Sequence, residues 1–186
     1  MLNAKILVVG PCESGKTVIS NFLADATETS GGEYHPTQGV RILEFESGNN
    51  QIGNRSSTAE VELWDCSGDQ KFDECWPAIM KDANGVLIVF NPDVASHERE
   101  LDMWYTHFVV QQGLRESQCL IMAHHKPTAK ASTASQIPSS MSKVQSVHTN
   151  LEEDAEGVRR DFNSFLAKLL GGMSHRQDQE ELSIIQ

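Results

Sequence analysis

The stretch Gly10-Pro11-Cys12-Glu13-Ser14-Gly15-Lys16-Thr17 fits G-x-x-x-x-G-K-[ST] at every fixed position. Its flanks restrict what can surround it. Ala4 to Val9 is a short apolar run that reads as a buried strand, and Val18 to Leu23 is apolar at helical spacing. Strand, glycine-bounded loop and helix together make this spacing a phosphate cradle, because the glycines let the backbone wrap its N–H groups around an anion at the positive end of the helix. Lys16 is then placed to reach β- and γ-phosphates, and the Thr17 hydroxyl to sit on Mg²⁺. The pattern implies a chain that binds a nucleoside triphosphate, or descends from chains that did.

At 186 residues the chain is most simply one domain with an ample core. Fifteen basic against 26 acidic residues, a formal −11, disfavours nucleic acid or an anionic membrane as partner. Cysteines stand at 12, 66, 75 and 119 with no C-x-x-C pair, which argues against zinc and against a disulfide framework and suits a cytoplasmic protein. No apolar run approaches a membrane span. Leu2 stands where N-myristoylation needs glycine, and 180–186 contains no cysteine for prenylation, so no direct lipid anchor is expected.

Arg41 to Glu46 and Glu60 to Asp65 partly alternate and read as antiparallel strands, joined across a Gly-, Asn- and Ser-rich connection over 47–58. Asp73 to Ala83 reads as a helix interrupted by Pro77, and Gly85 to Asn91 and Cys119 to Ala123 as strands buried on both faces. Ser96 is a candidate cap for a helix reaching about Gln112, with Leu101, Trp104, Tyr105 and Phe108 on its inner face. Residues 128–142, rich in Ser, Ala and Thr, read as a flexible surface insert, followed by a last strand over Lys143 to His148. A helix from Glu152 to Leu170 is expected to stop at Gly171-Gly172, leaving a domain over 1–172 and a polar tail over 173–186. Strands alternating with helices imply an α/β fold: a mostly parallel six-stranded sheet with helices on both faces and the phosphate loop at the strands' carboxyl ends.

Asp65-Cys66-Ser67-Gly68 closes a strand and offers D-x-x-G, in which Asp65 can hold Mg²⁺ and the Gly68 N–H can sense a γ-phosphate. Thr37 is the natural second hydroxyl for the metal, giving Thr17, Thr37 and Asp65 as the candidate Mg²⁺ set. With the phosphate loop, these residues resemble the Ras-like small GTPases over Ala4 to Leu170. The resemblance implies a P-loop GTPase domain with GTP or GDP as ligand, its base side at His124-His125-Lys126-Pro127. Lys126 matches the family's N-K-x-D motif, whereas His125 replaces the asparagine and Thr128 the aspartate, so the carboxylate fork that reads guanine is absent. Ser146 to Asn150 matches the last family motif poorly.

Hydrolysis depends on a glutamine just past the D-x-x-G glycine. Here Asp69 follows Gly68 and Gln70 comes next, and these two are the only catalytic candidates. Asp69 near the γ-phosphate, with Cys12 and Glu13 crowding the loop, implies slow or absent turnover.

Pro36 to Glu46, Trp64-Asp65-Cys66, Cys75-Trp76-Pro77-Ala78 and Ala123 to Pro127 resemble, more narrowly, the Rab-like small GTPase-like subunits of intraflagellar transport complex B. That likeness implies a GTP-bound adaptor docked on coiled-coil subunits of the complex in the cytoplasm and cilium. A cycling GTPase switch is the alternative, and a P-loop small-molecule kinase a more distant one, since no Arg-rich lid is evident. Trp64 and Trp76 are either core residues or partner contacts.

Overall fold

The computed structural model describes residues 2–26, 37–52, 55–127 and 137–184, with backbone alone for 49–52 and 55–57. In chain order the elements are β1 (Leu2–Val9), α1 (Lys16–Leu23), β2 (Val40–Ile52), β3 (Arg55–Cys66), α2 (Trp76–Met80), β4 (Gly85–Phe90), α3 (Ala95–Tyr105), β5 (Cys119–His124), β6 (Gln145–Thr149) and α4 (Ala155–Ile184). They build the expected six-stranded sheet in the order β2-β3-β1-β4-β5-β6. Only the β2–β3 pair is antiparallel.

Alternation along the strands divides the core into two layers. Ile6, Val8, Leu87 and Val89 face Ile19 and Leu23 of α1 and Phe162, Phe165 and Leu169 of α4. Leu7, Val9, Ile88 and Phe90 face α2 and α3, where Trp76, Trp104 and Phe108 pack with ring centroids 5.1 to 5.6 Å apart. β4 and β5 are buried at every position, as continuous apolar strands between helical layers must be. Trp76 is therefore a core residue, whereas Trp64 is half-buried beneath the Lys5 ammonium, 3.7 Å from its ring centroid.

Four local expectations are corrected. The polar 47–58 segment is mostly strand: β2 and β3 continue to Ile52 and from Arg55, with a register shift between Ser47 and Asn50. Gly48 lies within that shift, where a residue without Cβ suits an irregular ladder. α3 follows Val94 with no side-chain cap, so Ser96 does not cap it, and past Tyr105 it widens into a π-helical turn over Thr106–Val110. α4 does not stop at Gly171-Gly172 but runs to Ile184. Neither glycine takes the left-handed conformation of a helix stop, so each costs the helix only its weak propensity, about 1 kcal/mol.

The fourth correction concerns the end of the insert. Residues 128–136, Thr128 included, lie outside the described residues. Met141, in a 3-10 turn over Ser139–Met141, is buried in the α2–α3 core layer with Ile137 packed against it, so this end is anchored. Among the described residues no helix is long and apolar enough to cross a membrane.

Candidate functional site

The phosphate loop leaves β1 over the edge of β4 and turns into α1. Gly10 has φ 143°, and a Cβ there would lie 2.0 Å from the Val89 carbonyl oxygen. Gly15 has φ 98°, and its Cβ would meet the His124 ring at 2.7 Å. Both positions exclude a side chain, which is the physical content of the two fixed glycines. Glu13 takes the left-handed conformation with φ 59° despite its Cβ, a strain of about 1 kcal/mol retained in the turn. Pro11 and Ser14 are buried, whereas Cys12 and Glu13 are exposed.

Lys16 folds back inside this turn. Its Nζ donates to the Pro11 carbonyl at 2.6 Å. Burial pushes its pKa down while the nearby Asp65 carboxylate pulls it up, so a desolvated cation faces the concave side of the loop. The Thr17 hydroxyl donates to Asp65 Oδ2 at 2.7 Å and lies 3.0 Å from the Thr37 hydroxyl. Three residues far apart in sequence thus bring hard oxygen donors together beside the lysine. That donor set suits Mg²⁺, which takes oxygens at short range and keeps waters and phosphate oxygens as its other ligands.

The D-x-x-G turn closes over the loop from the other side. A Cβ on Gly68 would lie 2.4 Å from the Cys12 nitrogen and 2.6 Å from the Pro11 carbonyl carbon, so the two backbones touch and only glycine fits. Asp69 follows Gly68 directly. Its carboxylate caps the 3-10 turn Gln70–Cys75, accepting from the Lys71 N–H at 3.0 Å, with the Lys71 ammonium at 3.3 Å. These bonds, the Lys71 N–H first, hold the Asp69 carboxyl below the ordinary range. Gln70 is exposed at the start of the same turn.

At the base side, β5 ends in His124, buried, with Nδ1 2.9 Å from the Thr149 hydroxyl. Burial, then the neighbouring His125 and Lys126, lowers its pKa to about 4, so the ring under Gly15 stays neutral. His125 stacks on His148, with Nε2 2.9 Å from Nδ1, and its other nitrogen lies 3.7 Å from Asp93. Lys126 and Pro127 are exposed beyond them.

Several residues here were not singled out by sequence. The Arg41 guanidinium lies 3.7 Å from Asp65 and donates to Asn21. Cross-strand pairing sets Arg41 directly opposite Asp65, so correct hairpin register would have revealed it. His148 and Thr149 reach His125 and His124 because β6 runs parallel to β5 in register. His97, on the first turn of α3, is buried and its Nδ1 accepts the Asn91 N–H at 3.0 Å, a pairing that no local spacing encodes.

Residues 5–127 match the family described as Ras of Complex, Roc, domain of DAPkinase. The Danio rerio protein named intraflagellar transport protein 22 homolog is 54% identical over the full length of both chains. A GTP-bound crystal structure of T. brucei IFT22/74/81 contains a chain 30% identical to this one. It superposes with a TM-score of 0.73, covering 94% of this chain and 98% of that one. GDP-bound T. brucei IFT22 is 28% identical with a TM-score of 0.67, covering 90% and 96%. Phosphate loop, D-x-x-G turn, sheet order and full-length identity agree: the chain belongs to the intraflagellar transport protein 22 family and carries its Ras-like GTPase domain.

Proposed function

We propose that this protein is a guanine-nucleotide-binding subunit of intraflagellar transport complex B, serving the cilium as a GTP-bound adaptor on coiled-coil subunits of the complex. The observation that carries the reading is the Thr17 hydroxyl lying within 3.0 Å of both the Thr37 hydroxyl and an Asp65 carboxylate oxygen, with Lys16 buried on the same glycine-bounded loop. The backbone N–H groups of the loop from Cys12 to Thr17 would bind the phosphates, Lys16 would neutralise their oxygens, and the Thr17, Thr37 and Asp65 oxygens would hold Mg²⁺, which would supply further charge neutralisation. Gly68, seated on Cys12, senses the γ-phosphate edge. His124, His125, Lys126 and Pro127 form the base side. The relatives' GTP- and GDP-bound forms support guanine as the base, and the T. brucei complex supports a partner within intraflagellar transport.

Hydrolysis is slow or absent in this reading. Asp69 caps the next turn through the Lys71 N–H, and Gln70 is exposed at the start of that turn. The second reading is a cycling switch, favoured by a relative that was crystallised with GDP. The two separate on one measurement: affinity for the coiled-coil partner with a non-hydrolysable GTP analogue against GDP. Equal affinities support the adaptor, because a ligand without differential affinity shifts no equilibrium. A drop of about tenfold or more with GDP, 1.4 kcal/mol of coupling, establishes the switch.

A further inference from the structure

Strand pairing puts a cation on the buried carboxylate of the site. Arg41 of β2 stands directly opposite Asp65 of β3 in an antiparallel pair, so both side chains leave the same face of the sheet. Asp65 is fully buried, and an ionised carboxylate there needs a counter-charge. The Arg41 guanidinium lies 3.7 Å from Asp65 Oδ2, the oxygen that accepts the Thr17 hydroxyl at 2.7 Å. The same Arg41 Nη2 donates to Asn21 Oδ1 on α1. Arg41 therefore ties the edge strand of the sheet to the helix that carries Lys16 and Thr17, with its charge at the carboxylate.

We propose that Arg41 is a positioning residue with two opposed effects: it neutralises Asp65 and holds it at Thr17, and it weakens the grip of that carboxylate on a divalent cation. This rests on the reading of Asp65 as a Mg²⁺ ligand. Two cations that share one buried carboxylate repel each other, and burial leaves that repulsion poorly screened over a few ångströms. Mg²⁺ is then bound against a resident positive charge. The protein needs more Mg²⁺ to retain its nucleotide than the oxygen set alone would require. An arginine that only braced β2 against α1 would give a different pattern, because its loss would loosen Asp65 and weaken metal and fold together.

The test compares the full chain as wild type, Arg41→Gln and Arg41→Lys. One readout is the free Mg²⁺ concentration that half-maximally slows release of a fluorescent GDP. The other is urea unfolding of nucleotide-stripped protein in EDTA. In Arg41→Gln the half-maximal Mg²⁺ concentration should fall about tenfold, as one nearby positive charge is removed, while the unfolding midpoint drops because Asp65 loses its counter-charge. Arg41→Lys keeps the charge and should stay within about threefold of wild type in its Mg²⁺ requirement. An unchanged or raised Mg²⁺ requirement in Arg41→Gln overturns the proposal, as does an unfolding midpoint that does not drop. A fall of about tenfold in Arg41→Lys overturns it too, since charge would then not be the cause. Release that Mg²⁺ does not slow in wild type overturns the metal reading of Asp65 itself, so the two failures are distinguishable.

Discussion

His124 makes the stability of this protein depend on pH in a way that one substitution should remove. The ring ends β5, buried beneath Gly15, and its pKa is held at about 4 by burial, with His125 and Lys126 adding to the effect. In the unfolded chain it titrates near 6.5. Between those values the unfolded chain takes a proton that the folded one refuses. The stability is thus complete above pH 6.5 and is lost as pH falls toward 4. At 1.36 kcal/mol per pKa unit the full span amounts to about 3 kcal/mol, of which about 2 kcal/mol is lost by pH 5. His124→Asn keeps a partner for the Thr149 hydroxyl but cannot titrate. Urea unfolding of nucleotide-stripped protein at pH 8 and pH 5 gives the loss for each variant, and carboxylate titrations common to both cancel in the difference. Wild type should lose about 2 kcal/mol more than His124→Asn. Equal losses would show that His124 takes its proton in the folded state, refuting the burial argument.

Gly68→Ala puts a methyl group within 3 Å of three backbone atoms of Pro11 and Cys12, none of which can swing aside. The D-x-x-G turn must lift, and calorimetry should show GTP-analogue binding weakened about tenfold while GDP changes less. Thr17→Ala and Asp65→Asn each remove an oxygen of the proposed metal set. Nucleotide release, fast on adding EDTA to wild type, should already be fast in both variants and insensitive to the chelator. Asp154 caps α4 through the Gly157 N–H at 2.9 Å, so Asp154→Ala should cost about 1 kcal/mol in urea unfolding without altering nucleotide binding.

The loop and its flanking elements were largely legible in the sequence because the residues that shape them lie close together in the chain. Gly10, Gly15, Lys16 and Thr17 lie within one turn of chain, and their spacing by itself dictates the loop. Asp65 and Gly68 stand on one strand end, and Thr37 was placed by its position between helix and strand. Continuous apolar runs announced β4 and β5, since strands buried on both faces cannot alternate. What the sequence hid was long-range. Arg41 reaches Asp65 and His148 reaches His125 only through strand register. Composition misled at the Ser- and Asn-rich 47–58 segment, where backbone pairing extends β2 to Ile52 and begins β3 at Arg55. It misled again at Gly171-Gly172, where glycine's usual role as a stop needs a left-handed backbone that α4 does not adopt.

The most direct test is the nucleotide content of the purified protein, released by denaturation and separated by chromatography, with Lys16→Ala as control. Near-stoichiometric intact GTP in wild type and its loss in Lys16→Ala are the expected results, since the buried ammonium is the loop's own counter-charge to the phosphates. GDP alone in wild type would contradict slow hydrolysis, and wild type as empty as Lys16→Ala would contradict a nucleotide-bound adaptor altogether.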